Sequence, residues 1–383
     1  MTDITQVRAI LDRLIAFDTT SRNSNLALIE WVEAYLAEHG VEGRRVGDAT
    51  GKKANLFASV GPDVEGGVIL SGHSDVVPVD GQDWSADPWI TREEGGKLYG
   101  RGTSDMKSFL ALALAFVPRF VSGSKPVHLA ISYDEEVGCK GAPAMIARMR
   151  TSVPEPRLAI IGEPTSMKLV TGHKGITVHS VEVRGAEAHS SLVDHGISAN
   201  EVAIDLMHAL VELSRELRAK PDPESGFDPP YPTLTIGVMR GGEAANILAG
   251  QAGFEFDLRC PPGFVADEIL ADFFALCEAK DAELKARFPQ AGVSFEQLAN
   301  APPLGDNESE DAAAFIRRLT GENSPPSKVS YATEGGQFQE AGFATIVCGP
   351  GSIEQAHQPN EWIAIEQLEA GTRFMAKLAD ELA

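Results

Sequence analysis

The sequence predicts an α/β protein: a mostly parallel sheet covered by helices, carrying an inserted α+β domain of the split β-α-β, ferredoxin-like type. Three observations predict it. Apolar runs such as Val68-Ile69-Leu70 are uninterrupted, as in strands buried on both faces. Such runs alternate with helical patterns in the first and last parts of the chain. Between them the strands acquire unlike faces: in ITVHSVEVRG, Ile176, Val178, Ser180 and Glu182 alternate with Thr177, His179, Val181 and Val183.

The elements follow in order. Ile4, Val7, Leu11, Leu14 and Ile15 recur at helical spacing and predict a helix over 4–17. DTTSRNSN turns into a second helix over 25–39, with Thr, Ser and Asn suited to cap it. Strands are expected at ANLFASV, GGVILSGH, KPVHLAISYD and RLAIIGEP, with helices at DMKSFLALALAFVPRF and GAPAMIARMR. After ITVHSVEVRG come a helix (ISANEVAIDLMHALVELSREL), a Pro-rich connector, strands TLTIGVMRGG and AGFEFDLRC, a helix (VADEILADFFALCEAK) and a strand (VSFEQLA). This β-α-β-β-α-β order sets an inserted domain at 178–296 and leaves 1–177 and 297–383 for the first domain. The chain closes with helix SEDAAAFIRRLTG, strand FATIVCGPG and helix IAIEQLEAGTRFMAKLADEL.

Composition excludes some partners. The 383 residues include 33 Lys and Arg against 55 Asp and Glu, a net charge of −22. Nucleic acid and anionic membrane both require a basic face, so neither is expected. The N-terminal stretch has no basic segment followed by an apolar core, and no run approaches the ~20 apolar residues that span a bilayer. Cys139, Cys260, Cys277 and Cys348 lack CxxC spacing, which suits a reducing, cytoplasmic setting.

Ligands of open α/β sheets bind beyond the carboxyl ends of the strands. Those ends offer His73 and Asp75, then Asp105, Asp134, Glu135 and Glu136, Glu163, and His357. Taken singly, each has a structural explanation; Asp105, for instance, could cap the helix beginning at Met106. Together they are imidazoles and carboxylates from five strand ends. Clustered carboxylates repel and are costly to desolvate, and divalent cations remove that cost. Two imidazoles and three carboxylates suit two metal ions. The N/O set without thiolate favours zinc, with cobalt or manganese as substitutes. Residues two apart in extended chain face the same way, so the Asp75 carboxylate is expected on the free ring nitrogen of His73.

The motifs SGHSDVVPVD, GRGTSDMK, YDEEVGCKGA, IGEPT, TGHKGI, AHSSL and GPGSIEQAHQP resemble, in order and over essentially the whole chain, the co-catalytic zinc amidohydrolases. That family includes acetylornithine deacetylase, succinyl-diaminopimelate desuccinylase, aminoacylase and carboxypeptidase G. DTTSRNSNL and GPGSIEQAHQP point to the acetylornithine deacetylase branch, and so to arginine biosynthesis. The resemblance implies two zinc ions per subunit: His73 and Glu163 on one, Glu136 and His357 on the other, Asp105 bridging. It implies Glu135 as general base, Asp75 as the partner of His73, and dimerisation through the inserted domain. It also implies that His189 reaches the partner subunit's site to hold an oxyanion, and that Asn246 and Arg259 contact substrate. A structural ion pair of Arg259 with Glu255 or Asp257 is the alternative.

The remaining residues have plainer expectations. His128 is expected in the core and His39 at a helix end. His173 is a candidate for approaching the site, and Glu334 either reads a distal ammonium or lies on the surface. The expected activity is metal-dependent hydrolysis of an N-acyl amino acid, foremost N2-acetyl-L-ornithine. A sibling amidohydrolase is one alternative and a non-catalytic small-molecule binding protein another.

Overall fold

The computed structural model describes residues 4–305 and 310–383. The chain divides into two compact units: Met1–His173 with Leu304–Lys328 and Thr333–Ala383, and Lys174–Pro303 with Val329–Ala332.

The described part of the first unit is organised on an eight-stranded sheet. Its order is Gly43–Gly47, Ala54–Val60, Val127–Ser132, Val68–His73, Leu158–Pro164, Thr345–Gly349, Val170–His173, Ser327–Val329. The four strands from Val127–Ser132 to Thr345–Gly349 run parallel, and their neighbours on either side are antiparallel. Burial explains the uninterrupted apolar runs. Leu56, Leu70, Leu129 and Ile160 pack with the helices Ile4–Ile15, Leu26–Glu38, Lys107–Ala115 and Ile365–Glu381. Their neighbours Phe57, Ile69, Ala130 and Ile161 are equally buried on the opposite face. Each such Leu or Ile contributes roughly 1.5–3 kcal/mol by leaving water. Because the four central strands are parallel, their carboxyl ends, at His73, Ser132, Pro164 and Gly349, emerge at one edge.

Close packing sets how near Asp105 comes to that edge. Helix Lys107–Ala115 is buried along all nine residues. A Cβ on Gly162 would stand 2.0 Å from Phe109 Cγ, so glycine lets the helix lie flush on the strand that carries Glu163. The expected longer helix breaks at Phe116, since Pro118 has no N–H to continue the ladder. Met106 is the N-cap and the helix has no side-chain cap, so Asp105 has some other role. Lys107 is fully buried, and its Nζ donates to Leu14 O at 3.0 Å and Phe17 O at 2.9 Å, closing the end of the first helix. Asn25 does not cap the second helix through its side chain. Its amide instead bonds Ala54 O and Ser74 Oγ, both at 2.9 Å.

Several elements carry no sequence periodicity. Arg92–Glu94, Lys97–Tyr99 and Trp362–Ala364 form a small antiparallel sheet. Gly95 and Gly96, both at positive φ (59° and 74°), make its hairpin turn. Three-residue strands are too short to show alternation. The expected helix SEDAAAFIRRLTG is observed as Glu310–Thr320; its first residue, Ser309, lies outside the described residues.

The second unit has a four-stranded antiparallel sheet in the order Thr233–Gly241, Gln251–Cys260, Gly175–Arg184, Gly292–Ala301. With helices Ala199–Arg218 and Ala266–Arg287 it gives the chain order β-α-β-β-α-β. Val181, Val183, Phe254, Phe256, Leu206, Leu270 and Phe273 fill its core. The boundaries 178 and 296 cut through two of its strands. The ladders continue to Gly175↔Cys260 and Ala301↔Ile176, which places the divisions at Lys174 and Pro303. Helix Ala266–Arg287 also outruns its expected end, because Leu284 is buried and holds the charged turn KDAELKAR in place.

His128 lies in the core, as its apolar neighbours imply. Its Nδ1 pairs with Ser59 Oγ at 2.8 Å, and its Nε2 is buried with no partner among the described residues. Burial lowers its pKa to about 4, with Asp63 opposing weakly. The folded chain therefore takes up this proton near pH 4 and the unfolded chain near 6.5. Between those values the unfolded state binds more protons, so stability rises with pH; about 3 kcal/mol is lost on acidifying through the window. His128→Gln is expected to flatten the fall of Tm between pH 7 and 4.5. Parallel melting curves for the two proteins across that range would refute this.

Candidate metal centre

The expected ligands of the first unit converge on Asp105. His73 Nε2 stands 3.0 Å from Asp105 Oδ1 and 3.9 Å from Glu163 Oε1. His357 Nε2 stands 3.2 Å from Asp105 Oδ2 and 2.9 Å from Glu136 Oε2. The two oxygens of one carboxylate thus face two imidazoles, each with its own second carboxylate. The side chains of His73, Asp105, Glu136 and Glu163 are buried, while that of His357 is 51% exposed. Glu135 adds another carboxylate, with an oxygen within 4.8 Å of ligand atoms of His73 and Glu163.

Without a cation this arrangement is electrostatically unfavourable. Burial first, then Asp105, pushes Glu136 up to about 7, against the pull of His357 and His73. Burial pushes Glu135 up to about 8, with Glu136 and Asp105 adding to it and His73 opposing. Glu163 is also raised well above the usual carboxylate range, by burial and then Asp105 and Glu135, with His73 opposing. Burial would also raise Asp105, but hydrogen bonds from His357 and His73 hold it below the usual carboxylate range. His357, bonded to Asp105 and Glu136, rises to about 10. Glu136 Oε1 and Glu163 Oε1 are buried with no hydrogen-bond partner among the described residues. Two divalent ions fit this donor set: they would take the orphaned oxygens, replace the imidazole protons and neutralise the carboxylates.

Asp75 differs from its expected part. The His73 Nδ1–H donates to the backbone carbonyl of Asp75 at 2.8 Å, and the carboxylate lies farther off at 3.7 Å. The chain turns out of the strand after His73, so the i+2 side chain no longer runs alongside the ring. The Asp75 carboxylate accepts instead from the N–H groups of Glu135 (3.2 Å) and Glu136 (3.3 Å). Asp134 stands apart from the ligands and pairs with Lys53.

Glu361 was not legible as a site residue. Its carboxylate accepts from the N–H groups of Gly102 (2.9 Å), Ser104 (2.8 Å) and Asp105 (3.0 Å), and pairs with Arg101 Nη1 at 2.8 Å. It sets the backbone that presents Asp105. The only sequence signal is its place four residues after His357, just before the short strand Trp362–Ala364. Cys139 Sγ donates to Glu135 Oε1 at 3.3 Å. Glu334 is 1% exposed and so is not a surface residue; its Oε2 accepts from Ser71 Oγ at 3.3 Å. His173 is buried and accepts from the N–H of Gly336 at 3.2 Å, a structural contact.

His189, Asn246 and Arg259 belong to the second unit and are not part of the cluster in the first. His189 is exposed, and its Nδ1 accepts from the N–H of Ser191 at 3.2 Å. The same Nδ1 stands 2.8 Å from Ser191 Oγ. Asn246 O accepts from Ser190 N at 2.9 Å, which places the two loops side by side. Arg259 Nε pairs with Asp257 Oδ2 at 2.9 Å, the expected structural alternative.

Fold and motifs together define a class. A model of Peptidase family M20/M25/M40 matches residues 69–381, and the chain belongs to that family of hydrolases. More particularly, it is 35% identical to the acetylornithine deacetylase of Proteus mirabilis over 371 residues, covering 95% of this chain and 92% of that one. It is 33% identical to the acetylornithine deacetylase of Myxococcus xanthus over 367 residues, covering 94% and 93%. Its fold matches that of an M20 family metallo-carboxypeptidase from Sulfolobus solfataricus with a TM-score of 0.79 at 16% identity, covering 98% of each chain. The motif resemblance and the expected fold class are both borne out.

Proposed function

We propose that this chain hydrolyses the amide bond of an N-acyl amino acid, foremost N2-acetyl-L-ornithine, giving L-ornithine and acetate. The observation that carries the reading is one buried carboxylate, Asp105, set between two imidazoles with Glu135 beside them. His73 and Glu163 would hold one zinc ion, Glu136 and His357 the other, and Asp105 one oxygen on each. When bound, such ions supply Lewis acidity toward an acyl oxygen and toward water, whose pKa they bring to about 7.

The chain's own groups do the rest. Glu135 takes the proton of the attacking water and delivers it to the leaving nitrogen. His189, reaching the partner subunit's site, is the donor for the developing oxyanion, a contact whose loss typically costs about 2.7–4 kcal/mol of barrier. Arg259, with its Nε kept on Asp257, turns its remaining guanidinium N–H groups to the α-carboxylate, and Asn246 contacts the substrate. We further propose a cytoplasmic homodimer formed through the second unit, serving arginine biosynthesis. Similarity to two acetylornithine deacetylases over more than nine-tenths of the chain supports the substrate.

The purified protein is expected to release acetate from N2-acetyl-ornithine faster than it cleaves N-succinyl-diaminopimelate or N-acetyl-methionine. A chelator should abolish release, and Zn²⁺ or Co²⁺ should restore it. Preference for another substrate would move the assignment to a sibling amidohydrolase. Absence of chelator-sensitive release from all three would favour a binding protein.

A further inference from the structure

Ser21 lies in the turn between the first two helices and is 6% exposed. Its Oγ donates to Asp75 Oδ2 at 2.7 Å, and its N–H donates to Val76 O at 3.2 Å. Thr19 Oγ donates to Ser74 O at 2.6 Å and Val76 N–H to Thr19 O at 3.2 Å, so the turn is bound to the segment beyond His73 at four points. Asp75 receives its other donors, the N–H groups of Glu135 and Glu136, from a different loop. One buried carboxylate thus joins two segments, using both oxygens. A second tie runs in parallel: Lys53 Nζ donates to Ser21 O and pairs with Asp134.

We propose that Ser21 is a positioning residue for the Glu135–Glu136 pair. Its hydroxyl proton holds the Asp75 carboxylate in the one orientation that grips both amides. The competing orientation is at hand, because Asp75 Oδ1 is only 3.7 Å from His73 Nδ1. Without the hydroxyl, the carboxylate turns toward that ring and releases the loop. Glu135 and Glu136 then lose their fixed place relative to Asp105. The catalytic consequence rests on the proposed hydrolysis; the positioning itself does not.

The test compares Ser21→Ala with Ser21→Thr, which keeps the hydroxyl, in the full chain loaded with Co²⁺. Amide hydrogen exchange over residues 134–138 is expected to be about tenfold faster in Ser21→Ala and unchanged in Ser21→Thr. The weaker of the two Co²⁺ affinities, read by calorimetry, should fall about tenfold in Ser21→Ala alone. On a substrate that shows chelator-sensitive turnover, kcat should fall about tenfold with KM within twofold. Wild-type exchange and Co²⁺ affinity in Ser21→Ala would overturn the proposal, as would equal losses in both variants, which would indicate packing. Changes in exchange and affinity with no turnover by any variant, wild type included, would uphold the positioning and sink the hydrolase reading. If Ser21→Ala yields no folded protein, Ser21→Cys, with its weaker donor, must show the same losses in smaller degree, and wild-type behaviour there counts against the proposal.

Discussion

Glu135→Gln is expected to retain both metal ions and its melting temperature while kcat falls about 10²–10⁴-fold, or about 2.7–5.4 kcal/mol of barrier. The carboxamide fills the same volume, so the packing around it persists, including Cys139 at 3.3 Å. It cannot accept a proton from water, which removes only the transfer step. Metal content by elemental analysis and steady-state rates on the best acyl amino acid check both halves. A variant that loses one ion and keeps its rate per remaining ion would show Glu135 to be a ligand instead of the base. KM is expected to stay within a few-fold, because Glu135 acts on water.

Glu361→Ala is expected to cost about 3–5 kcal/mol of stability, since it leaves the Arg101 guanidinium, 1% exposed, without its carboxylate partner. It also strips the acceptor from the N–H groups of Gly102, Ser104 and Asp105. The loop that presents Asp105 then loosens, and the affinity for both ions should fall together, because Asp105 faces both imidazoles. Glu361→Gln, which keeps an acceptor but not the charge, should lie between. Denaturant midpoints and metal titrations measure the two effects. A stable Glu361→Ala protein with two tightly held ions would show that the loop is set by other contacts.

These two residues illustrate unequal legibility. Glu135 stands at the end of an apolar strand in a dense acidic motif, where sequence pattern and parallel-sheet topology both direct attention. Glu361 lies between a loop and a three-residue strand, and its partners Arg101 and Asp105 are more than 250 residues away in sequence. No local pattern encodes such a pairing. Asp75 is a middle case. Its type and place were visible, but the turn after His73 exchanged the roles of its carboxylate and its carbonyl.

Periodicity and strand-end chemistry were enough to establish the α/β class, the split β-α-β insertion and the chemical character of the edge where imidazoles and carboxylates gather. Those properties follow from which residues are apolar and at what interval, and every local segment carries its own share of that information. The division of ligands between the two oxygens of Asp105, the grip of Asp75 on the glutamate pair and the buried Arg101–Glu361 tie arise from contacts between distant segments. They depend on distances of about 3 Å, which appear only once sheet order and loop conformation are set.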